Sequence, residues 1–214
     1  MRAVPSADGD DVYLRATALD AALSMLEAGP CRILAGGTDV YPALQDRPLI
    51  GRVLDISGIV DLRVIKQSDE YWSIGAAVSW RDVIRADLPP AFDGLKAAAG
   101  EVGSWQIQNR ATLVGNICNA SPAADGVPAL LTMDAGVELQ SCRGRRVVPW
   151  RHSSLAIAKQ SALRTKWLAL FWCRTPRLLD RDISINWGPA AIWSFRLVWW
   201  RCGCYATPSR QLPK

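Results

Sequence analysis

A sharp change in composition near residue 150 limits the regular fold to the first two thirds of the chain. Residues 1–150 contain 14 Lys and Arg against 18 Asp and Glu, whereas residues 151–214 contain 11 against 2. Seven of the ten tryptophans lie between Trp150 and Trp200. Apolar periodicity is the main sequence signal of helices and strands, and no clear period continues past Val148. The sequence therefore predicts an irregular or non-native tail over residues 151–214.

Three interpretations of this tail remain open at the level of sequence. A reading-frame shift near Pro149 in the source DNA explains why charge, tryptophan content and periodicity change together. A divergent but genuine C-terminus is the alternative, and reading the DNA around codon 149 distinguishes the two. A nucleic-acid surface is the third, because Arg and Trp grip backbones and stack on bases. Nothing organises these residues into a groove, so no nucleic-acid partner is predicted.

Cysteine and histidine usage argues against metal and triad chemistry. The six cysteines are irregularly spaced, and Cys202 and Cys204 form the only close pair, without the second pair of a zinc site. His152 is the only histidine, and no local motif makes it part of a catalytic triad. We predict no catalytic side chain and no metal ligand.

No segment of the sequence has the features of a membrane span or a signal peptide. No apolar run reaches the roughly 18 residues that a spanning helix needs. The first residues turn acidic at once and lack the apolar stretch of a signal peptide. We therefore expect no membrane span and a cytoplasmic protein.

The stretch CRILAGGTDVYPAL, from Cys31 to Leu44, has the parts of an anion-binding loop. Gly36 and Gly37 permit positive φ and close approach of a ligand, and successive backbone N–H groups in such a turn form an anion-binding nest. Thr38 adds a hydroxyl, and a helix starting near Val40 would add positive partial charge. The spacing matches neither of the common Gly-rich phosphate motifs. A plain strand-to-helix turn therefore remains the alternative.

A second stretch, residues 109–126, also suits a polar ligand. It reads NRATLVGNICNASPAADG and is predicted as a loop, because small residues occur throughout. Thr112, Asn116 and Ser121 supply polar groups, Gly115 permits close approach, and Asp125 is its one carboxylate. The alternative is an ordinary surface loop.

Flanking patterns predict alternating helices and strands. A helix over residues 17–27 is expected with Thr17 as its N-cap, and strands are expected at residues 32–34, 52–57 and 71–74. Ser79 is expected to cap a helix over residues 80–86, and alternation around Gly144 indicates a hairpin. We divide the chain into an N-terminal unit, residues 1–60, a second unit, residues 61–150, and the atypical tail, residues 151–214.

Four motifs together resemble one family. ILAGGTD, LDISGIVDLR, IGAAVSW and QIQNRATLVGNICNASPAADGVPALL occur in the order found in the FAD-binding subunit of molybdenum hydroxylases. That family includes the medium subunit of carbon monoxide dehydrogenase and the FAD domain of xanthine dehydrogenase. The resemblance covers roughly Tyr13 to Pro149. It implies an α+β fold of the PCMH type, in which FAD lies between two α/β subdomains.

The resemblance also implies which residues hold FAD. The first pyrophosphate loop would contain Leu34, Ala35, Gly36, Gly37, Thr38 and Asp39, and the second Thr112, Val114, Gly115 and Asn116. Asp125 would contact the flavin nucleotide, and Ala76, beside Gly75, would line the cofactor cleft. To these cofactor-binding candidates we add Ser121, a small polar residue of the second stretch. Val114 departs from the family, which commonly has glycine there. A β-branched residue disfavours positive φ, so this loop must use an ordinary backbone conformation there or bind less tightly.

By the same resemblance, the chain would pass electrons rather than oxidise a substrate itself. A molybdenum-cofactor large subunit would oxidise the substrate, and a small subunit with 2Fe-2S clusters would carry electrons to FAD. NAD or another acceptor would then receive them. The alternatives are a nucleotide-binding module without redox activity and a truncated, non-functional remnant of such a subunit.

Overall fold

The computed structural model describes residues 12–69, 71–119, 121, 124–133, 135–149 and 168–174, with residues 148–149 and 168–174 described as backbone only. The strands are β1 Tyr13–Arg15, β2 Arg32–Leu34, β3 Val53–Asp55, β4 Ile65–Gln67, β5 Tyr71–Ile74, β6 Gly136–Ser141, β7 Gly144–Pro149 and β8 Leu168–Arg174. The α-helices are α1 Leu19–Ala28, α2 Val40–Leu44, α3 Trp80–Arg85, α4 Asp93–Glu101, α5 Trp105–Arg110, α6 Leu113–Asn119 and α7 Gly126–Thr132. Short 3-10 turns occupy Val60–Arg63 and Pro90–Phe92.

A three-stranded parallel sheet forms the N-terminal part, in the order β1-β3-β2. Its central strand β3 is buried along its whole length, as expected for a parallel sheet covered on both faces. Helix α1 packs its buried Ala22 and Leu26 into the core. The expected cap at Thr17 is wrong: the helix begins at Leu19, and Ala18 precedes it without a side-chain cap.

An antiparallel sheet follows, in the order β4-β5-β8-β6-β7. The predicted strand at residues 71–74 and the hairpin around Gly144, whose φ is +134°, are both confirmed. Strand β8 lies within the predicted atypical tail, yet it pairs with both β5 and β6. The rest of that tail lies outside the described residues. The domain bounds at 60 and 150 stay a prediction.

Helices α3 to α7 form the remaining layer, and they pack around fully buried Trp80, Phe92 and Leu95. The predicted cap at Ser79 is confirmed: its hydroxyl accepts the N–H of Asp82, and the Asp82 carboxylate accepts the N–H of Ser79. This capping box fixes where α3 begins. No helix in the described ranges is long and apolar enough to cross a membrane.

The expectation of a loop throughout residues 109–126 is wrong, because residues 113–119 form α6. Leu113, Val114 and Ile117 are buried on one side of this helix. Their spacing of one and four residues is helical, but it is hidden among small polar residues in the sequence. The predicted second loop therefore becomes a bend at Thr112 followed by the first turn of a helix.

A buried carboxylate lies at the end of the central parallel strand. Asp55 is only 5% exposed. It accepts hydrogen bonds from the Tyr13 hydroxyl at 2.6 Å and the Ser57 N–H at 2.8 Å, and Arg15 Nε lies 3.6 Å away. Burial, then the hydrogen bond to Asp55, raise the pKa of Tyr13 from 10.0 to about 12. The phenol and the carboxylate thus stabilise each other while Tyr13 keeps its proton.

Replacing Tyr13 with Phe should destabilise the fold by about 2 kcal/mol at neutral pH, because Asp55 loses a donor while it stays buried. In the wild type, the unfolded state releases the Tyr13 proton from pH 10 upwards, while the native state keeps it until about pH 12. The tyrosine's contribution should therefore be lost as pH rises through this window. Urea unfolding of both proteins across this pH range measures the difference in their free energies of unfolding. A difference that does not change with pH would contradict the raised pKa of Tyr13.

Candidate functional site

The first predicted loop connects β2 to α2 at the carboxyl end of the parallel sheet. Leu34 is buried, and its carbonyl accepts the Ile56 N–H at 2.9 Å. Gly37 adopts the left-handed conformation, with φ of +77°. None of the backbone N–H groups of residues 35–40 donates to another described residue. Because α2 has only five residues, these N–H groups, rather than a helix dipole, are the available anion donors.

Gly36 joins this loop to the second predicted segment. A β-carbon built on Gly36 would overlap the Arg110 carbonyl and lie 3.0 Å from Ala111 Cα. Only glycine allows two backbones to approach so closely. The two segments singled out in the sequence, some 75 residues apart, are therefore in direct contact.

Backbone hydrogen bonds hold the second segment against the turn that precedes α3. The Trp80 N–H donates to the Ala111 carbonyl at 3.0 Å, and the Leu113 N–H donates to the Val78 carbonyl at 3.2 Å. Ser79 and Thr112 form an isolated antiparallel bridge. The IGAAVSW motif is thus next to the second segment, as the first loop is.

Within the second segment, side chains fix the backbone. The Thr112 hydroxyl accepts the Gly115 N–H at 3.0 Å, and the Asn116 side-chain oxygen accepts the Gly126 N–H at 3.5 Å. Val114 is 4% exposed and lies in the helix. It therefore takes the ordinary backbone conformation that its β-branched side chain requires.

The remaining predicted residues lie around this contact. Ser121 and Asp125 are half-buried; the Ser121 carbonyl accepts the Ala124 N–H at 3.0 Å, and Asp125 directly precedes α7. Thr38 is half-buried and Asp39 is exposed. Ala76 is 2% exposed, so its side chain belongs to the core rather than to an open surface. The assignment of all these residues to cofactor binding stays a prediction.

Two further residues position the site and were missed from the sequence. Ala111 supplies part of the backbone on which Gly36 packs. In the sequence it is marked only by being a small residue just before Thr112. Trp80 is fully buried, and a β-carbon on Gly126 would lie 2.8 Å from its ring. It therefore links α3 to the start of α7, a contact that no local motif encodes.

The described residues hold no cluster of His, Cys, Asp and Glu that could bind a metal. Burial raises the pKa of the Cys118 thiol to about 12, so it is protonated and poorly nucleophilic at neutral pH. His152 lies outside the described residues. The candidate site thus offers backbone N–H donors and small polar side chains, groups of the kind that hold a polar ligand.

Comparisons with known proteins identify a family and several relatives. A family model described as the FAD binding domain in molybdopterin dehydrogenase matches residues 6–168. The xanthine dehydrogenase FAD-binding subunit of Escherichia coli O157:H7 is 36% identical over 143 residues, covering 64% of this chain and 48% of that protein. The nicotinate dehydrogenase FAD-subunit of Eubacterium barkeri is 38% identical over 125 residues, covering 55% and 40%.

Solved structures support the same fold. The reconstituted CO dehydrogenase from Oligotropha carboxidovorans matches with a TM-score of 0.69 and 24% identity, covering 81% of this chain and 61% of that chain. Quinoline 2-oxidoreductase from Pseudomonas putida 86 matches with a TM-score of 0.66 and 23% identity, covering 77% and 59%. The chain spans about half the length of the curated relatives it matches.

Replacing Gly36 with Ala should destabilise the fold by about 2 kcal/mol, because the new methyl group meets backbone that cannot rotate away. Replacing Gly100 with Ala is the matched control: its β-carbon meets open space within α4, so the change should be neutral or stabilise by about 0.5–1 kcal/mol. Urea unfolding of the three proteins measures the difference. Equal stability of the two variants would show that the contact between the loops is not tight.

Proposed function

The chain belongs to the family of FAD-binding domains in molybdopterin dehydrogenases, and from this premise we propose that it is the FAD-binding electron-transfer subunit of a molybdenum hydroxylase. The observation that carries the proposal is the contact of Gly36 with Arg110 and Ala111. A dinucleotide presents its diphosphate to more than one segment of chain, and this contact brings two glycine-containing segments together.

The residues present fit the diphosphate of FAD. Unpaired N–H groups at residues 35–40 supply donors, and the left-handed Gly37 gives the turn the curvature of an anion-binding nest. The Thr38 hydroxyl, which bonds to no described residue, adds a further donor. No lysine or arginine is needed, since successive backbone N–H groups in such a turn offset the ligand's charge.

The second segment would hold the rest of the nucleotide. Thr112 and Asn116 are themselves fixed by hydrogen bonds, so the backbone of their segment is set before a ligand arrives. Asp125, at the start of α7, offers a carboxylate to hydroxyl groups of the flavin nucleotide. These residues bind and orient; the chemistry that FAD supplies when bound is the uptake of electrons and their transfer to an acceptor.

A chain of this kind needs partners to supply and receive electrons. The described residues contain no group of His, Cys, Asp and Glu that could hold a metal ion. The relatives are described as subunits or medium chains. We therefore place this chain beside a molybdenum-cofactor large subunit and a 2Fe-2S small subunit, with NAD or another compound as the final acceptor. The cytoplasmic location expected from the sequence stays a prediction.

Titration of the apoprotein with FAD tests the binding step, with riboflavin as the control ligand. We expect FAD to bind, seen as quenching of its fluorescence, and riboflavin to bind at least about tenfold more weakly because it lacks the diphosphate that the N–H groups would hold. A protein that takes up no FAD would overturn the proposal and favour a remnant. Equal affinity for both would contradict the role of the first loop.

The acceptor is tested separately on the FAD-loaded protein. Anaerobic addition of NADH should bleach the flavin absorbance if NAD is the acceptor, because hydride transfer is reversible. Bleaching by dithionite but not by NADH would leave the electron-transfer role intact and exclude NAD. Co-purification with an iron–sulfur subunit would distinguish a working subunit from a remnant.

A further inference from the structure

Two separate interactions tie Tyr41 to Gly37. The Tyr41 N–H donates to the Gly37 carbonyl at 3.1 Å. The ring also lies over the glycine: a β-carbon built on Gly37 would be 2.7 Å from Cε2 and 2.9 Å from Cδ2 of Tyr41. Leu34 Cδ1 would be 3.5 Å from the same point. Gly37 is thus buried between a ring and an aliphatic side chain.

The Tyr41 ring contributes little to the core. The residue is 50% exposed, and it lies on a five-residue helix that has no buried residue. Its packing is directed to the loop instead. A large aromatic side chain that covers a left-handed glycine restricts the conformations open to that glycine.

We propose that Tyr41 is a positioning residue, whose ring holds the first loop in the conformation that binds a dinucleotide diphosphate. This rests on the proposed function. Gly37 has no side chain of its own to limit its backbone, and the N–H groups around it make no bonds to other described residues. Without the ring, the loop would have to be ordered at the moment of binding. A loop ordered beforehand gives higher affinity with the same contacts.

Variants at position 41 separate this role from a general structural one. Tyr41→Phe keeps the ring and should bind FAD like the wild type. Tyr41→Ala should weaken FAD binding by about tenfold, with little change in the melting temperature of the apoprotein, because the side chain is half exposed. Ile50→Ala is the matched control: this apolar residue is 69% exposed and lies beyond α2, so its loss should leave FAD affinity unchanged.

Hydrogen exchange of the apoprotein gives a readout that needs no ligand. The amide of residue 41 should exchange faster in Tyr41→Ala than in the wild type or Tyr41→Phe, because its acceptor, the Gly37 carbonyl, becomes free to move. Equal exchange and equal FAD affinity in all variants would overturn the proposal. If the wild type binds no FAD, the proposed function fails. Hydrogen exchange at residue 41 that is the same in Tyr41→Ala and the wild type would then refute the positioning role by itself.

Discussion

The close approach of Gly36 to the Arg110 carbonyl and Ala111 is the contact on which the candidate site depends. The contact joins two backbone segments, and a side chain at position 36 would prevent it. Strand β2 of the parallel sheet positions the first loop here. The bridge between Ser79 and Thr112 positions the second segment. The candidate site lies where these two segments meet.

A site built from backbone groups has a specific electrostatic character. Its donors are N–H dipoles whose number and direction are set by the chain's path, and they do not titrate. Asp55, the one buried carboxylate among the described residues, already accepts hydrogen bonds from Tyr13 and Ser57. It therefore stabilises the end of β3 rather than acting on a ligand. This suits the proposed function, in which FAD carries the redox chemistry.

Local motifs in the sequence predicted much of the fold, and long-range packing decided the rest. The hairpin at Gly144, the strand at residues 71–74 and the cap at Ser79 follow from patterns a few residues long, and all are confirmed. Helix α6 was not predicted because its buried residues, Leu113, Val114 and Ile117, are interleaved with glycine and asparagine. The contacts of Ala111 with Gly36 and of Trp80 with Gly126 were not predicted because the partners are distant in sequence. The family resemblance, by contrast, was confirmed because it uses the order of several motifs at once.

The position of β8 shows why a break in composition need not be a break in structure. Strand β8 comes from the segment with an anomalous charge and tryptophan content, yet it pairs with β5 on one side and β6 on the other. Backbone hydrogen bonds hold neighbouring strands together, and every residue other than proline has both a donor and an acceptor for them. The run LALFWCR contains no proline, so each of its residues can take part in such pairing. Because β8 lies between β5 and β6, those two strands could not pair with each other without moving. The antiparallel sheet therefore depends on a segment that the sequence pattern had assigned to the atypical tail.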